Sequence, residues 1–136
     1  RYFNVYGPRM IESGTYATAI QIFLGARKRG EPMTIFGDGE QTRDFTHVAD
    51  VVRANLLAMD GVEVGKGEVI NIAPGENHSI NKIAALIGGP VVHAPAKLEP
   101  RHTLADNSRA RSLLGWLPTI KIENAIENLK KERSLG

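Results

Sequence analysis

Residues 37–45 read GDGEQTRDF, and their types and order suit the capture of a phosphorylated ligand. Asp38 and Gly39 lie between two runs able to form strands, MTIF before and QTRDFTHV after, which is the local chemistry of a tight hairpin turn. Such a turn presents Arg43 from a stiff support. A planar guanidinium binds two phosphate oxygens at once, and the nearby Phe36 and Phe45 offer flat apolar faces to a base. Alternation along a hairpin places residues of one parity on one face, so Phe36 is expected toward ligand and Phe45 toward the core. Ion pairing of Arg43 with Asp44 or Glu40 is the competing expectation.

Chemistry beyond binding finds less support. The four histidines, His47, His78, His93 and His102, stand apart with no HExxH or HxH spacing. No nucleophile sits beside a base with an orienting partner, so neither catalytic nor metal-ligating residues are expected. The GDG turn also lacks the following helix that a phosphate-cradling glycine loop requires.

The elements that must position Arg43 are short. Residues 1–5 read as a buried strand, and Gly7 and Pro8 break it. Tyr16, Ile20, Phe23, Leu24 and Arg27 recur at helical spacing, with Ser13 or Thr15 as cap, Gly30 just past the end, and the cluster Arg27, Lys28, Arg29 complementing the helix dipole. Val48, Val51, Val52, Leu56 and Met59 mark a second helix capped by Thr46, with Asp50 in its first turn. EVINIA at 68–73 reads as a strand covered on both faces. Ser79 caps a third helix through Ile80, Ile83, Ala84 and Ile87, stopped by Gly88, Gly89 and Pro90. Residues 91–105 are loop or edge strand, broken by Pro95 and Pro100. Asp106 or Asn107 opens a short helix carrying Ala110, Leu113 and Leu114 inward, Gly115 ends it, and Trp116 plugs the core. Ile122, Ile126 and Leu129 share the inner face of a last helix, with Lys130, Lys131 and Arg133 near its end.

Composition agrees with a single α/β domain over residues 1–136, at 42% apolar and 24% charged residues. A formal charge of +2 is too small an excess for nucleic acid and fits a small anionic ligand. There is no cysteine, which excludes disulfides and thiolate metal sites. Without an 18-residue apolar window or a signal-peptide pattern, a cytoplasmic protein with no membrane contact is expected. The chain opens at Arg1 on a strand-like run, which suggests a piece of something longer.

Two runs, RYFNVYGPR at 1–9 and GDGEQTRDFTHVADVVRA at 37–54, together resemble the extended short-chain dehydrogenase/reductase family. Within it the likeness is to the NAD-dependent epimerases and dehydratases of nucleotide sugars, most closely the UDP-glucose 4-epimerase-like branch, and ADNSRARSLLGW at 105–116 is similar to a third family block. The resemblance covers almost the whole chain in the family's order. It implies the C-terminal, substrate-binding part of such an enzyme, retaining the last strands of the Rossmann sheet, with NAD as cofactor of the intact enzyme and none bound to this chain alone.

By that resemblance Asn4 and Arg43 hold the substrate diphosphate, Phe36 and Phe45 line the base pocket, and Tyr2 lies where the strand passes the nicotinamide, although packing suits it better. The family's second arginine is missing from APAKLEP at 94–100. Ala96 or Lys97 stands in its place, and Glu99 matches an acidic residue that contacts the ribose. The family's glycine-rich loop and YxxxK pair belong before residue 1, so this polypeptide by itself is expected not to catalyse. The expected partner is a nucleotide-diphosphate sugar, with self-association or strand exchange through residues 1–5. Dehydratase or decarboxylase chemistry, or a stand-alone binding module, are the alternatives.

Overall fold

The computed structural model describes residues 1–14 and 17–135; Thr15 and Tyr16, expected near the first helix start, lie outside them. Among the described residues six short strands and five helices are interspersed along the chain, an α/β arrangement as expected: β1 (Val5–Tyr6), α1 (Ala19–Lys28), β2 (Met33–Phe36), β3 (Thr42–Asp44), β4 (Thr46–His47), α2 (Val48–Asp60), β5 (Asn77–Ser79), α3 (Ile80–Ile87), β6 (Val91–Ala94), α4 (Ser108–Leu114) and α5 (Ile122–Glu132). The strands form three two-stranded ladders: β1 with β4 and β2 with β6, both parallel, and β3 antiparallel to β5.

The expected GDG hairpin does not form, because β2 and β3 pair with different partners. The β2–β6 ladder runs on past Phe36, with the Gly37 amide donating to the Ala94 carbonyl at 2.9 Å. The Phe36 carbonyl, which a hairpin mate would satisfy, accepts instead from Gln41 Nε2 at 2.9 Å. Side chains then fasten the turn: Asp38 Oδ1 accepts from the Glu40 amide, and Asn81 Nδ2 donates to the Asp38 carbonyl at 2.9 Å. Gly39 adopts φ +76° with the Asn81 carboxamide pressed against it, so a side chain there meets both strain and collision.

β3 is the inner strand of a small three-piece layer. On one side its register with β5 runs from Thr42 opposite Ser79 to Asp44 opposite Asn77. On the other, the Thr42 amide donates to the Arg101 carbonyl at 2.9 Å and the Thr103 amide to the Thr42 carbonyl at 3.1 Å. Asp44, fully buried, ties this layer to the rest: Oδ2 accepts from the amides of Gly75 (3.0 Å) and Ala105 (3.2 Å), and its carbonyl accepts from Asn4 Nδ2 (2.9 Å). Burial pushes the Asp44 carboxyl up from its ordinary value in spite of these amides.

Other expectations are corrected locally. The α1 cap position is Thr18 rather than Ser13, and its hydroxyl donates to Met10 Sδ instead of capping the helix. Thr46 belongs to β4, and His47 caps α2 by accepting from the Ala49 amide, which keeps its imidazole beside the Tyr6 ring at 5.3 Å. Residues 68–73 make only one ladder bridge, Ile72 with Tyr2, and Val69 stays exposed, so EVINIA is not a strand covered on both faces. The regular part of the first strand is likewise confined to β1. Helix α2 buries Asp50, Val51 and Ala54, while Val48, Val52, Leu56 and Met59 remain exposed. Four of the five expected apolar positions therefore point away from the described core, and a carboxylate shares the inner face with Val51 and Ala54.

That carboxylate organises the second of two core clusters. Asp50 accepts from Arg53 Nη2 (2.8 Å), Thr119 Oγ1 (2.7 Å) and the amides of Thr119 and Ile120, and its carbonyl accepts from Trp116 Nε1 at 2.9 Å. Trp116 is fully buried among Val51, Ala54, Ile72 and Ala110, beyond the αL Gly115 that ends α4 as expected. The larger cluster packs Ile20, Phe23 and Leu24 of α1 against Ile83 and Ile87 of α3 and Ile126 and Leu129 of α5. Here the expected faces hold, and Ser79 Oγ caps α3 by accepting from the Lys82 amide.

Burial alone would raise the Asp50 carboxyl, but Arg53, Thr119 and the two amides outweigh it and hold the group below its ordinary value. A carboxyl depressed on folding adds stability above its unfolded value, and that addition fades as pH falls through the native value. Urea unfolding of the wild type should show this loss on the acid side, and Asp50→Asn should flatten it while costing about 3 kcal/mol at neutral pH. Gly39→Ala should lower the urea midpoint by the equivalent of about 2 kcal/mol, measured in the same way.

Candidate functional site

The layer around β3 brings the sequence-selected residues into two adjoining cavities. The larger, about 510 Å³, is lined by Tyr2, Asn4, Arg43, Phe45 and Glu99, with Thr18 and Ile80 completing its wall. The smaller, about 200 Å³, is lined by Phe36, Gln41, Lys97, Glu99 and Arg101 and by the Gly37–Asp38 turn. Glu99 lines both. Residues 101–103 run parallel to β3, and this pairing carries Glu99, two positions earlier, up to the level of Gln41 and Arg43.

Arg43 is paired, though with neither Asp44 nor Glu40. Its Nη2 lies 2.5 Å from Glu99 Oε2, and its Nη1 donates to the Thr42 carbonyl at 2.8 Å. Asp44 is turned inward to its amides, and Glu40 accepts from Asn81. The Arg43 side chain is 12% exposed and that of Glu99 38%, so the pair sits at the floor of the cleft rather than on open surface. Glu99 also accepts from Gln41 Nε2 at 3.3 Å.

The other residues divide between cleft and scaffold. Asn4 takes φ +38°, and one of the two Nδ2 hydrogens is used on the Asp44 carbonyl, which leaves the second amide hydrogen and the side-chain oxygen for a ligand. Phe45 is core: it is buried and packs edge-on to Tyr6 with ring centroids 6.4 Å apart, showing only one edge to the cleft. Phe36 is half-buried at the small cavity, with Lys97 Nζ 3.5 Å above its ring centroid. Phe36 ends β2 whereas Phe45 lies between β3 and β4, so no shared hairpin sets the exposure of the two rings. Tyr2 is more than half exposed, and its hydroxyl donates to Asn55 Oδ1 at 2.7 Å.

Two residues escaped notice in the sequence. Gln41 links the Phe36 carbonyl to Glu99, and its position two before Arg43 on an extended segment was the available signal. Arg101 makes a two-pronged contact with Asp38, at 2.7 and 2.8 Å. Its hydrogen bonds, then the Glu40 amide, hold the Asp38 carboxyl down to about 2. No local pattern marks Arg101, because its partner lies 63 residues away. Among the described residues no cluster of histidines or carboxylates could hold a metal ion, and no helix is long and apolar enough to cross a membrane.

Comparison with known proteins accords with this arrangement. Over 101 residues the chain is 43% identical to a UDP-N-acetyl-alpha-D-glucosaminuronate decarboxylase of Bacillus cytotoxicus, which covers 70% of this chain and 30% of that protein. The crystal structure of UDP-glucose 4-epimerase with UDP-glucose from Thermotoga maritima superposes with a TM-score of 0.83 at 39% identity, over 97% of this chain and 45% of that one. The structure of UDP-glucuronic acid 4-epimerase from Bacillus cereus in complex with UDP-glucuronic acid and NAD gives 0.82 at 34%, over 98% and 44%. The chain therefore spans less than half the length of these relatives. Residues 1–73, more than half of the 136, match the profile of one family, and the chain belongs to it: the NAD dependent epimerase/dehydratase family.

Proposed function

We propose that this chain forms the nucleotide-sugar-binding part of a UDP-sugar epimerase, and that it grips its ligand by the diphosphate. The observation that supports this most is the single cleft into which Asn4, Arg43, Phe45 and Glu99 converge from distant segments. Arg43 would bind diphosphate oxygens through charge-assisted bonds, and the second amide hydrogen of Asn4 would donate to the same group. Phe36, in the adjoining cavity, would face the base. Held at that end, the sugar remains free to turn, so binding here serves retention and orientation.

NAD supplies hydride chemistry to enzymes of this family. The Gly37–Asp38–Gly39 turn leads into β3 rather than a helix, and Tyr2 has committed its hydroxyl to Asn55. These residues do not make a dinucleotide cradle, and the proposal concerns the substrate alone. Identity of 43% with a UDP-sugar decarboxylase favours a second reading, in which the same grip serves decarboxylation. Carbon dioxide released from UDP-glucuronic acid with NAD present would select that reading; interconverted UDP-sugars without it would select the first.

Calorimetric titration tests the grip directly. Arg43→Ala should weaken UDP binding by about tenfold or more. Equal affinity for both proteins would remove Arg43 from the ligand site.

A further inference from the structure

We propose that Glu99 sets the selectivity of the cleft: it keeps Arg43 from inorganic phosphates and yields it to a ligand that joins a ribose diol to a diphosphate. The proposal rests on the reading of the cleft as a nucleotide-diphosphate site, and it assigns Glu99 a task beyond contact. Three observations carry it. Glu99 Oε2 occupies the guanidinium edge of Arg43 at 2.5 Å, the edge a phosphate would need. Its carboxylate borders both the large cavity, where Arg43 and Asn4 lie, and the small one, where Phe36 lies. Its other oxygen is steadied by Gln41 Nε2, which is itself anchored to the Phe36 carbonyl.

A nucleotide with its base at Phe36 and its diphosphate at Arg43 must pass its ribose across Glu99. As the phosphate oxygens take the guanidinium, Glu99 loses its cation but gains hydroxyl donors, so neither charge is left unpaired. Inorganic pyrophosphate makes the same demand on Arg43 and brings no hydroxyl. Glu99 would then stand uncompensated beside a polyanion, and like charges at this separation oppose each other. Selectivity of this kind comes from a repulsive element that only the correct ligand relieves. Gln41 cannot replace the cation, because its one amide nitrogen serves both Phe36 and Glu99.

Bonding at Glu99 also predicts a preference within nucleotides. A ligand without the 2′-hydroxyl offers one donor fewer to the displaced carboxylate, and a site built to bond a hydroxyl discriminates against its absence. The 136-residue chain can be titrated calorimetrically with UDP, dUDP and inorganic pyrophosphate, as wild type and as Glu99→Gln, a substitution that keeps the side-chain shape and removes the charge. Wild type should bind UDP about tenfold more tightly than dUDP and pyrophosphate more weakly still. Glu99→Gln should bind pyrophosphate about fivefold more tightly than wild type and should narrow the gap between UDP and dUDP. Unchanged pyrophosphate affinity in Glu99→Gln, or equal wild-type affinity for UDP and dUDP, overturns this proposal and leaves the diphosphate grip standing. Equal UDP affinity in wild type and Arg43→Ala overturns the grip and this proposal together. The wild-type comparison needs no variant to fold.

Discussion

Asp44 is the residue on which the remaining geometry hangs. Its buried carboxylate satisfies two backbone amides, at Gly75 and Ala105, and so fastens the segments that flank β3 on either side, beyond their backbone pairing with it. Its carbonyl holds Asn4, and its chain neighbours on either side are Arg43 and Phe45. One inward-turned side chain thereby orients an outward arginine and a wall aromatic. The desolvation of that carboxyl is an energetic cost, evident in the direction of its titration, and the bonds to Gly75 and Ala105 partly offset it. Buried charge here secures the relative placement of three chain segments.

What could be read from sequence follows the range of the interactions concerned. Helices α3 and α5 were legible because capping and apolar spacing are local: Ser79 caps, and the inward isoleucines and Leu129 recur at turns of the helix. The GDG segment misled because Asp-Gly between strand-like runs is the strongest short-range hairpin signal. It was overridden by pairings with residues 91–94 and 77–79, which no local rule can reveal. Of the apolar positions Val48, Val51, Val52, Leu56 and Met59 that mark α2 in the sequence, only Val51 is buried. Asp50 shares that inner face, and no local rule reveals it, since its partners Thr119 and Ile120 lie far along the chain. Family resemblance singles out the candidate site residues, whereas the pairing of Arg43 with Glu99 needs the fold.

Charge in the cleft is closely balanced. Arg43 faces Glu99, Arg101 faces Asp38, and the Lys97 ammonium rests on the Phe36 ring. Where the family resemblance anticipates a second arginine, Ala96 lines the small cavity and Lys97 engages an aromatic face. Each cation already has a partner, so a ligand enters by exchange of partners rather than by filling a vacant electropositive pocket.

The Asp50 network bears on the order in which this chain can acquire its structure. Its acceptors sit at the start of α2, while the donors at Thr119 and Ile120 arrive 69 and 70 residues later. During synthesis α2 carries an inward carboxylate with only Arg53 beside it until the segment before α5 has emerged. Closing so long a loop is entropically costly and gains nothing until both ends meet. The Asp50 network therefore cannot be completed until Thr119 and Ile120 have been made, and a nascent chain cut short before residue 119 would leave this carboxylate without those donors.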